Sequence, residues 1–207
     1  LIYTTSSMLV PSPFSSLVSV FEKLSSAQIK ALEDAQIDPK KYKKMVSQAA
    51  QVDSLLGKKT TSKSEFGYKA EEILLAVVSN RLDWEIGPDE IEFINKTLQI
   101  DPRIKFLLVG RCEDKLVTKI GQMCGPRAEC LGPIAEIKTF LSMIDFLINT
   151  KRLGGGGAAA TAIGHGTPVF SINYGDVTSL LPSEYLADNY AELLGLITCH
   201  LELDKPT

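Results

Sequence analysis

The fold of this chain is decided by residues 146–161, which read FLINTKRLGGGGAAAT. The stretch begins with a short apolar run that is typical of a buried strand, passes through four consecutive glycines, and ends in an alanine-rich segment that favours a helix. Four glycines in a row cost backbone entropy when they are ordered, so we expect a function for this loop rather than a flexible turn.

The same alternation of strand and helix extends over residues 71–207. Further apolar runs predict buried strands at 73–78, 104–109, 128–131 and 169–172. Between them, helical spacing predicts a helix opened by Pro88 and others near 113–123, 134–143, 157–165 and 188–202. Strict alternation of this kind calls for a parallel sheet covered by helices on both sides. The sequence therefore predicts a Rossmann-like, doubly wound α/β domain.

The first 70 residues have a different character. Residues 1–56 predict an extended piece at Ile2–Val10 and then helices that begin near Ser12, Ser26 and Pro39, hence an N-terminal helical extension. Residues 57–70 are polar and aperiodic, which predicts a linker. Residues 1–70 hold 10 Lys and Arg against 6 Asp and Glu. We expect most of these lysines on the solvated face of a helix over 39–56, while peripheral attachment to a membrane surface stays open.

Composition limits the class of protein. The chain has 207 residues, a net charge of −3 and 44% apolar residues, as soluble globular proteins do. Its longest apolar run, Ile73–Val78, is far too short to span a membrane, and no signal peptide is recognisable. Four cysteines and two histidines lack metal-ligand spacing, so we expect free thiols, a cytoplasmic location, and neither a metal site nor a nucleic-acid partner.

Ligands of doubly wound sheets bind where the strand order reverses, at the carboxyl ends of the strands. Here that rule selects the segments after the first and fourth strands, residues 79–82 and 149–157, and each contains an arginine. Glycines ahead of a helix allow close approach of the backbone, and the helix N-terminus favours an anion, so we expect a phosphate there. The pattern is neither the phosphate loop that ends in Gly-Lys-Ser/Thr nor the dinucleotide fingerprint, which follows the first strand.

Residues 71–203 resemble the carboxyl-terminal, donor-binding half of GT-B glycosyltransferases, particularly bacterial types with an Asn-x-x-Arg-x-Gly-Gly-Gly loop. The matching segments, in chain order, are residues 78–82, 106–110, 131–132, 145–149, the glycine loop, 166–169 and 174–177. The resemblance implies that two arginines neutralise the donor's diphosphate, that amides of the glycine loop assist them, and that the backbone at Leu131 and Gly132 meets the base. It also implies that Gly110 keeps the end of the second strand open toward the crevice. The residues implied in binding are Asn80, Arg81, Gly110, Leu131, Gly132, Arg152, Gly154, Gly155, Gly156, Gly157, Ala158 and Thr161.

This chain departs from the family pattern in three places. Many retaining members carry two glutamates where Leu153 and Thr161 stand here, and a proline where Thr150 stands. The Thr161 hydroxyl is the remaining candidate for the ribose, and no catalytic residue is assigned. For Arg81 an alternative is a surface salt bridge with Asp83 or Glu85.

The implied activity is transfer of a sugar from a nucleotide-diphosphate donor to a glycan, lipid or protein acceptor. It needs no cofactor and no metal, because arginines and a helix dipole would stabilise the leaving diphosphate. A separate N-terminal Rossmann domain of the same polypeptide would bind the acceptor, so we expect this chain to be a fragment that is inactive alone. Two alternatives remain: a non-catalytic nucleotide-binding or interaction module, and a sugar-nucleotide epimerase on the same fold.

Overall fold

The computed structural model describes residues 2–3, 18–20, 26–44 and 61–203. The chain divides into two units, residues 1–51 and 52–207. The first unit contains β1 (Ile2–Tyr3), β2 (Val18–Val20), α1 (Ser26–Asp34) and β3 (Tyr42–Lys44). The second contains β4 (Ile73–Val78), α2 (Leu82–Glu85), α3 (Pro88–Ile100), β5 (Ile104–Val109), α4 (Asp114–Cys124), β6 (Ala128–Gly132), α5 (Ile137–Met143), β7 (Phe146–Asn149), α6 (Gly156–Gly164), β8 (Val169–Ile172), β9 (Leu186–Ala187) and α7 (Tyr190–Leu203).

The second unit is built on a six-stranded, wholly parallel sheet with the order β6-β5-β4-β7-β8-β9. The first strand of this unit, β4, lies in the middle, and the chain runs outward from it to β6 before it returns to β7 on the other side. Strand order therefore reverses between β4 and β7, which is the expected switch point. The doubly wound α/β fold is confirmed.

Helices cover both faces of the sheet because alternate residues of each strand point to opposite sides. Leu75 and Val77 of β4 pack in one apolar cluster with residues of α3, α4 and α7. Leu74 and Ala76 pack in the other cluster with residues of α5 and α6. All four side chains are fully buried, so β4 has an uninterrupted apolar sequence.

Most predicted elements of residues 71–203 are confirmed to within a few residues, but one strand was missed. The sixth strand, β9, has only two residues and pairs Leu186 with Ser171 and Ala187 with Ile172. Two residues show no periodicity, so this strand depends on its neighbour in the sheet rather than on local sequence.

The N-terminal segment, expected to be an extended piece followed by helices, contains strands that the sequence did not predict. The helix at Ser26 is confirmed, but residues 42–44, expected within a helix over 39–56, form β3. Strands β1, β2 and β3 make a three-stranded parallel sheet in which Tyr42 pairs with Val18 and Lys44 with Val20. Pairing between segments about two dozen residues apart leaves no mark on helical spacing. The helix expected near Ser12 and residues 45–56 lie outside the described residues.

The stretch expected to be a polar linker, residues 57–70, is described from residue 61 onward. There it differs from an exposed linker, because Lys63–Phe66 form a 3₁₀ turn and Tyr68 is buried against the sheet. Lys63 forms an ion pair with Asp145 at 2.6 Å. The polar sequence hid two aromatic anchors, Phe66 and Tyr68, which both join the cluster beneath α5 and α6.

Candidate functional site

The segments that follow β4 and β7 meet at the switch point. Arg81 follows β4 by three residues, and the glycine loop, residues 151–157, follows β7. A Cβ placed on Gly154 would lie 3.4 Å from Arg81 Nη2, so this guanidinium lies against the loop. The Arg81 side chain is nevertheless 64% exposed. The structure thus brings together the two segments that the sequence selected and leaves one cation open to solvent.

Arg152, the second predicted diphosphate ligand, is buried. Its side chain is 4% exposed, and its Nε donates to Asn149 Oδ1 at 2.6 Å. Its Nη1 donates to the Val78 carbonyl at 2.9 Å and to Glu85 Oε2 at 3.0 Å. Burial lowers the pKa of Arg152, while the Glu85 carboxylate opposes that shift. These contacts join the ends of β4 and β7 to α2, which makes Arg152 a brace for the loop.

Glu85 was not among the predicted site residues. Its carboxylate contacts both arginines: Oε2 accepts from Arg152 Nη1, and Oε1 lies 3.3 Å from Arg81 Nε. The i,i+4 spacing from Arg81 had signalled the exposed half of this arrangement. The buried half joins residues 67 positions apart and has no local signal.

The glycine loop is held by specific contacts rather than being a loose turn. Gly155 has φ of 116°, and a Cβ on it would overlap Asn149 Oδ1 and come within 2.9 Å of Arg152 Nη2. Asn149 is itself fixed by a hydrogen bond from its Nδ2 to Ser171 Oγ at 3.1 Å. At the start of the loop, the Lys151 amide donates to the Tyr190 hydroxyl at 3.1 Å, and this hydroxyl donates to Glu90. A loop held in this way has a defined conformation.

The N-terminus of α6 has an acidic neighbour that the sequence did not reveal. A Cβ on Gly156 would lie 3.2 Å from Asp176 Oδ2, and the Asp176 amide donates to the Leu153 carbonyl at 3.0 Å. A carboxylate is stabilised beside a helix N-terminus. An anion that binds this loop would therefore share the N-terminus of α6 with Asp176.

Gly110 and Gly132 lie where β5 and β6 end. We expected Gly110 to keep the strand end open toward the crevice, but a Cβ there would overlap the Ser79 carbonyl oxygen, at a φ of 131°. Gly110 is therefore a site of close backbone approach. Its amide donates to the Gly132 carbonyl at 2.9 Å, and a Cβ on Gly132 would meet nothing within 4 Å. The space at Gly132, next to the partly buried Leu131, is open.

The remaining predicted residues differ in how exposed they are and in the contacts they make. Asn80 and Gly157 are exposed, and Ala158 packs on the core beneath α6. The Thr161 hydroxyl donates to the Gly157 carbonyl at 2.9 Å, so it is already used within the helix. Trp84, the only tryptophan of the chain, is 90% exposed on α2 between Arg81 and Glu85.

In the part of the chain that the structure describes, no three His, Cys, Asp or Glu side chains converge as a metal site would require. The described helices also include none with the length and apolar character needed to cross a membrane.

No protein-family model matches this sequence, and no curated protein matches it. Solved structures do share its fold. Anabaena HepE, solved with UDP and glucose, has a TM-score of 0.70 at 21% identity, covering 91% of this chain and 54% of HepE. WaaG, a glycosyltransferase involved in lipopolysaccharide biosynthesis, has a TM-score of 0.65 at 13% identity, covering 89% and 53%.

A Listeria monocytogenes protein described as a candidate UDP-N-acetylglucosamine 2-epimerase has a TM-score of 0.56 at 14% identity, covering 91% of this chain and 52% of that one. The chain thus spans about half the length of each of these proteins. At such identities the likeness establishes the fold alone, a Rossmann-like α/β fold that these proteins share with the chain.

Proposed function

We propose that this chain is the donor-binding half of a glycosyltransferase and that it binds the diphosphate of a nucleotide sugar at the switch point. The observation that carries the proposal is the Arg81 guanidinium, which is exposed and lies against Gly154 of a loop with a defined conformation. Guanidinium groups suit phosphate oxygens because they offer two parallel donors. The similarity of the fold to HepE, solved with UDP and glucose, supports a nucleotide sugar as the ligand.

The chemistry follows from where charge develops. When the bond between the anomeric carbon of the sugar and the diphosphate oxygen breaks, negative charge builds up on the leaving diphosphate. Arg81 and the loop amides near Gly154 would donate hydrogen bonds to that charge, and donors that are already oriented stabilise a transition state with little reorganisation. This arrangement performs the electrostatic role that a metal ion has in other transferases. Arg152, which is buried, contributes by holding the loop.

The proposal extends to the acceptor and the catalytic base. The acceptor, a glycan, lipid or protein, and the catalytic base would come from a second Rossmann domain of the same polypeptide. A cytoplasmic location, where sugar nucleotides are available, is supported by four cysteines that are all free thiols. Peripheral membrane contact through the early lysines remains part of the proposal.

A non-catalytic nucleotide-binding module is the second candidate. Two observations favour it. The Thr161 hydroxyl already donates to the Gly157 carbonyl, and Asp176 lies beside the N-terminus of α6. Both weaken the case for a tightly held donor. The two candidates differ in whether a longer protein that contains this chain transfers sugar.

Calorimetric titration of the full chain with UDP, GDP and uridine tests the proposal. Arg81→Ala is expected to weaken binding of the nucleoside diphosphate by about 1.5 to 3 kcal/mol, the range for a lost charged hydrogen bond, and to leave uridine binding unchanged. Arg103→Ala is the matched control, because Arg103 is also half-exposed and ion-paired, with Asp101 at 2.8 Å, but lies at the amino end of β5. Absence of binding by the unmodified chain at millimolar UDP and GDP would refute the proposal.

A further inference from the structure

We infer that Glu85 is a positioning residue that sets the Arg81 guanidinium for bidentate contact with the diphosphate, an inference that rests on the proposed function. Glu85 ends α2 and is itself only 10% exposed. Its two carboxylate oxygens have different partners, Arg81 Nε at 3.3 Å and Arg152 Nη1 at 3.0 Å.

Contacts with the sheet hold Glu85 in place. Arg152 Nη1, which donates to Glu85, also donates to the Val78 carbonyl of β4, and Arg152 Nε donates to Asn149 of β7. Both anchors belong to central strands of the sheet. The carboxylate therefore has its position set by the two strands at the switch point, although α2 itself is only four residues long.

One edge of the Arg81 guanidinium remains available to a ligand. Glu85 pairs with Nε, and the two atoms lie 3.3 Å apart. Nη2 faces the loop at Gly154. With Nε engaged, the edge formed by Nη1 and Nη2 is left for an anion, and that edge carries two parallel N–H donors.

An exposed arginine binds an anion more tightly when its guanidinium is already oriented. A free arginine side chain has rotamer entropy to lose on binding. A guanidinium that is already oriented by Glu85 loses less of it, so Glu85 raises affinity for the diphosphate without touching the ligand. Asp83, on the same helix, has another task, because its Oδ1 accepts from the Glu113 amide at 2.9 Å.

The experiment compares Glu85→Gln in the unmodified chain and in the Arg81→Ala background, with UDP and uridine as probes. Glutamine has the same shape but no charge. We expect UDP affinity to fall about tenfold in the first background and to change less than about twofold in the second, with uridine unaffected in both. A loss that persists without Arg81, or that includes uridine, overturns the inference and makes Glu85 structural.

Glu85→Asp provides the second variant, since removing the charge beside buried Arg152 threatens the fold. Aspartate keeps that charge, but its shorter side chain does not span both arginines. We expect a folded protein with a melting temperature close to that of the unmodified chain and clearly weaker UDP binding. A folded Glu85→Asp variant with full UDP affinity overturns the inference, and so does unfolding of both variants.

Glu92→Gln is the matched control, because Glu92 also forms an i,i+4 ion pair, with Lys96, on a helix surface away from the loop. The sole tryptophan, Trp84, provides an independent readout, because its fluorescence reports the surroundings of α2 before any ligand is added. If Arg81→Ala loses UDP and the Glu85 variants do not, this inference fails alone. If the unmodified chain binds no UDP, the proposed function fails.

Discussion

Ion-pair networks lie at both ends of the strands of the six-stranded sheet. At the amino ends, Lys105 pairs with Glu129 at 2.8 Å and Lys63 with Asp145 at 2.6 Å, and both lysine side chains are at least three-quarters covered. At the carboxyl ends, Glu85 pairs with buried Arg152 and with exposed Arg81.

The difference lies in what each network leaves exposed. The amino-end network holds residues 61–72 to the sheet, and Tyr68 adds a hydrogen bond to Glu129 and a contact with Lys105, whose Nζ lies 5.3 Å from the ring centroid. Lys105 contacts carboxylates of β6 and of the preceding segment as well as the Tyr68 ring. Lys63 contacts the Asp145 carboxylate and the Glu72 carbonyl. The carboxyl-end network encloses one cation and presents the other beside the glycine loop. The first arrangement joins a segment to the sheet, whereas the second is the one to which the proposed function assigns an anion.

Arg152→Met is expected to give the largest effect on stability. It leaves the Glu85 carboxylate buried without its main partner, and breaking a buried pair in this way costs about 3 kcal/mol or more in the free energy of unfolding. Lys105→Met, at the amino ends, is the control and should cost about 1 kcal/mol, because the Lys105 side chain is more exposed than that of Arg152. Urea denaturation of both variants measures the difference. Equal losses would mean that the two networks are energetically alike.

Gly155→Ala is expected to have the next largest effect, a loss of about 2 kcal/mol in the free energy of unfolding. The added Cβ would collide with Asn149 Oδ1, and the φ of 116° is unfavourable for alanine. Gly157→Ala is the control two residues away, where a Cβ meets nothing and the helix favours alanine, so it should be neutral or stabilise by up to about 1 kcal/mol. Similar melting temperatures for the two variants would contradict a tightly held loop.

The smallest expected effect is a pH dependence at the amino ends. Burial, with the charge of Glu129, raises the pKa of Tyr68 above its ordinary value of 10.0. Above about pH 10 the unfolded chain therefore binds fewer protons than the folded chain, so the free energy of unfolding falls as pH rises. Tyr68→Phe removes this titration, and its stability should decline less steeply between about pH 9.5 and 11.

Denaturant unfolding of Tyr68→Phe and the unmodified chain at several alkaline pH values makes this comparison. Tyr185→Phe is the control, because Tyr185 is also partly buried and aromatic-packed but no carboxylate is in hydrogen-bond contact with its hydroxyl in the described residues. Parallel pH curves for all three proteins would show that Tyr68 does not titrate abnormally.

Much of the second unit follows from local sequence. Apolar runs such as Ile73–Val78 announce buried strands, and Pro88 opens a helix whose spacing shows its buried face. The order of strands and helices then leaves few topologies, because crossovers between parallel strands are right-handed. The switch point, and with it the meeting of Arg81 and the glycine loop, could therefore be predicted.

Other parts were not predictable, for reasons that differ. The short strand β9 and the sheet of the first unit depend on pairing with distant segments. Residues 61–70 looked like a linker because their polar composition outweighed two aromatic anchors, Phe66 and Tyr68.

The sequence by itself determined the class of fold, the position of the switch point and the presence of two arginines beside it. Only the tertiary structure decided that Arg152 is a buried brace and that Arg81 is the exposed cation. It also decided that Glu85 contacts both arginines and that Asp176 lies beside the glycine loop. Periodicity records which face of an element is buried, since that pattern repeats every few residues. Burial and charge pairing at strand ends depend on which strands become neighbours, and β4 and β7 are neighbours only in the tertiary structure.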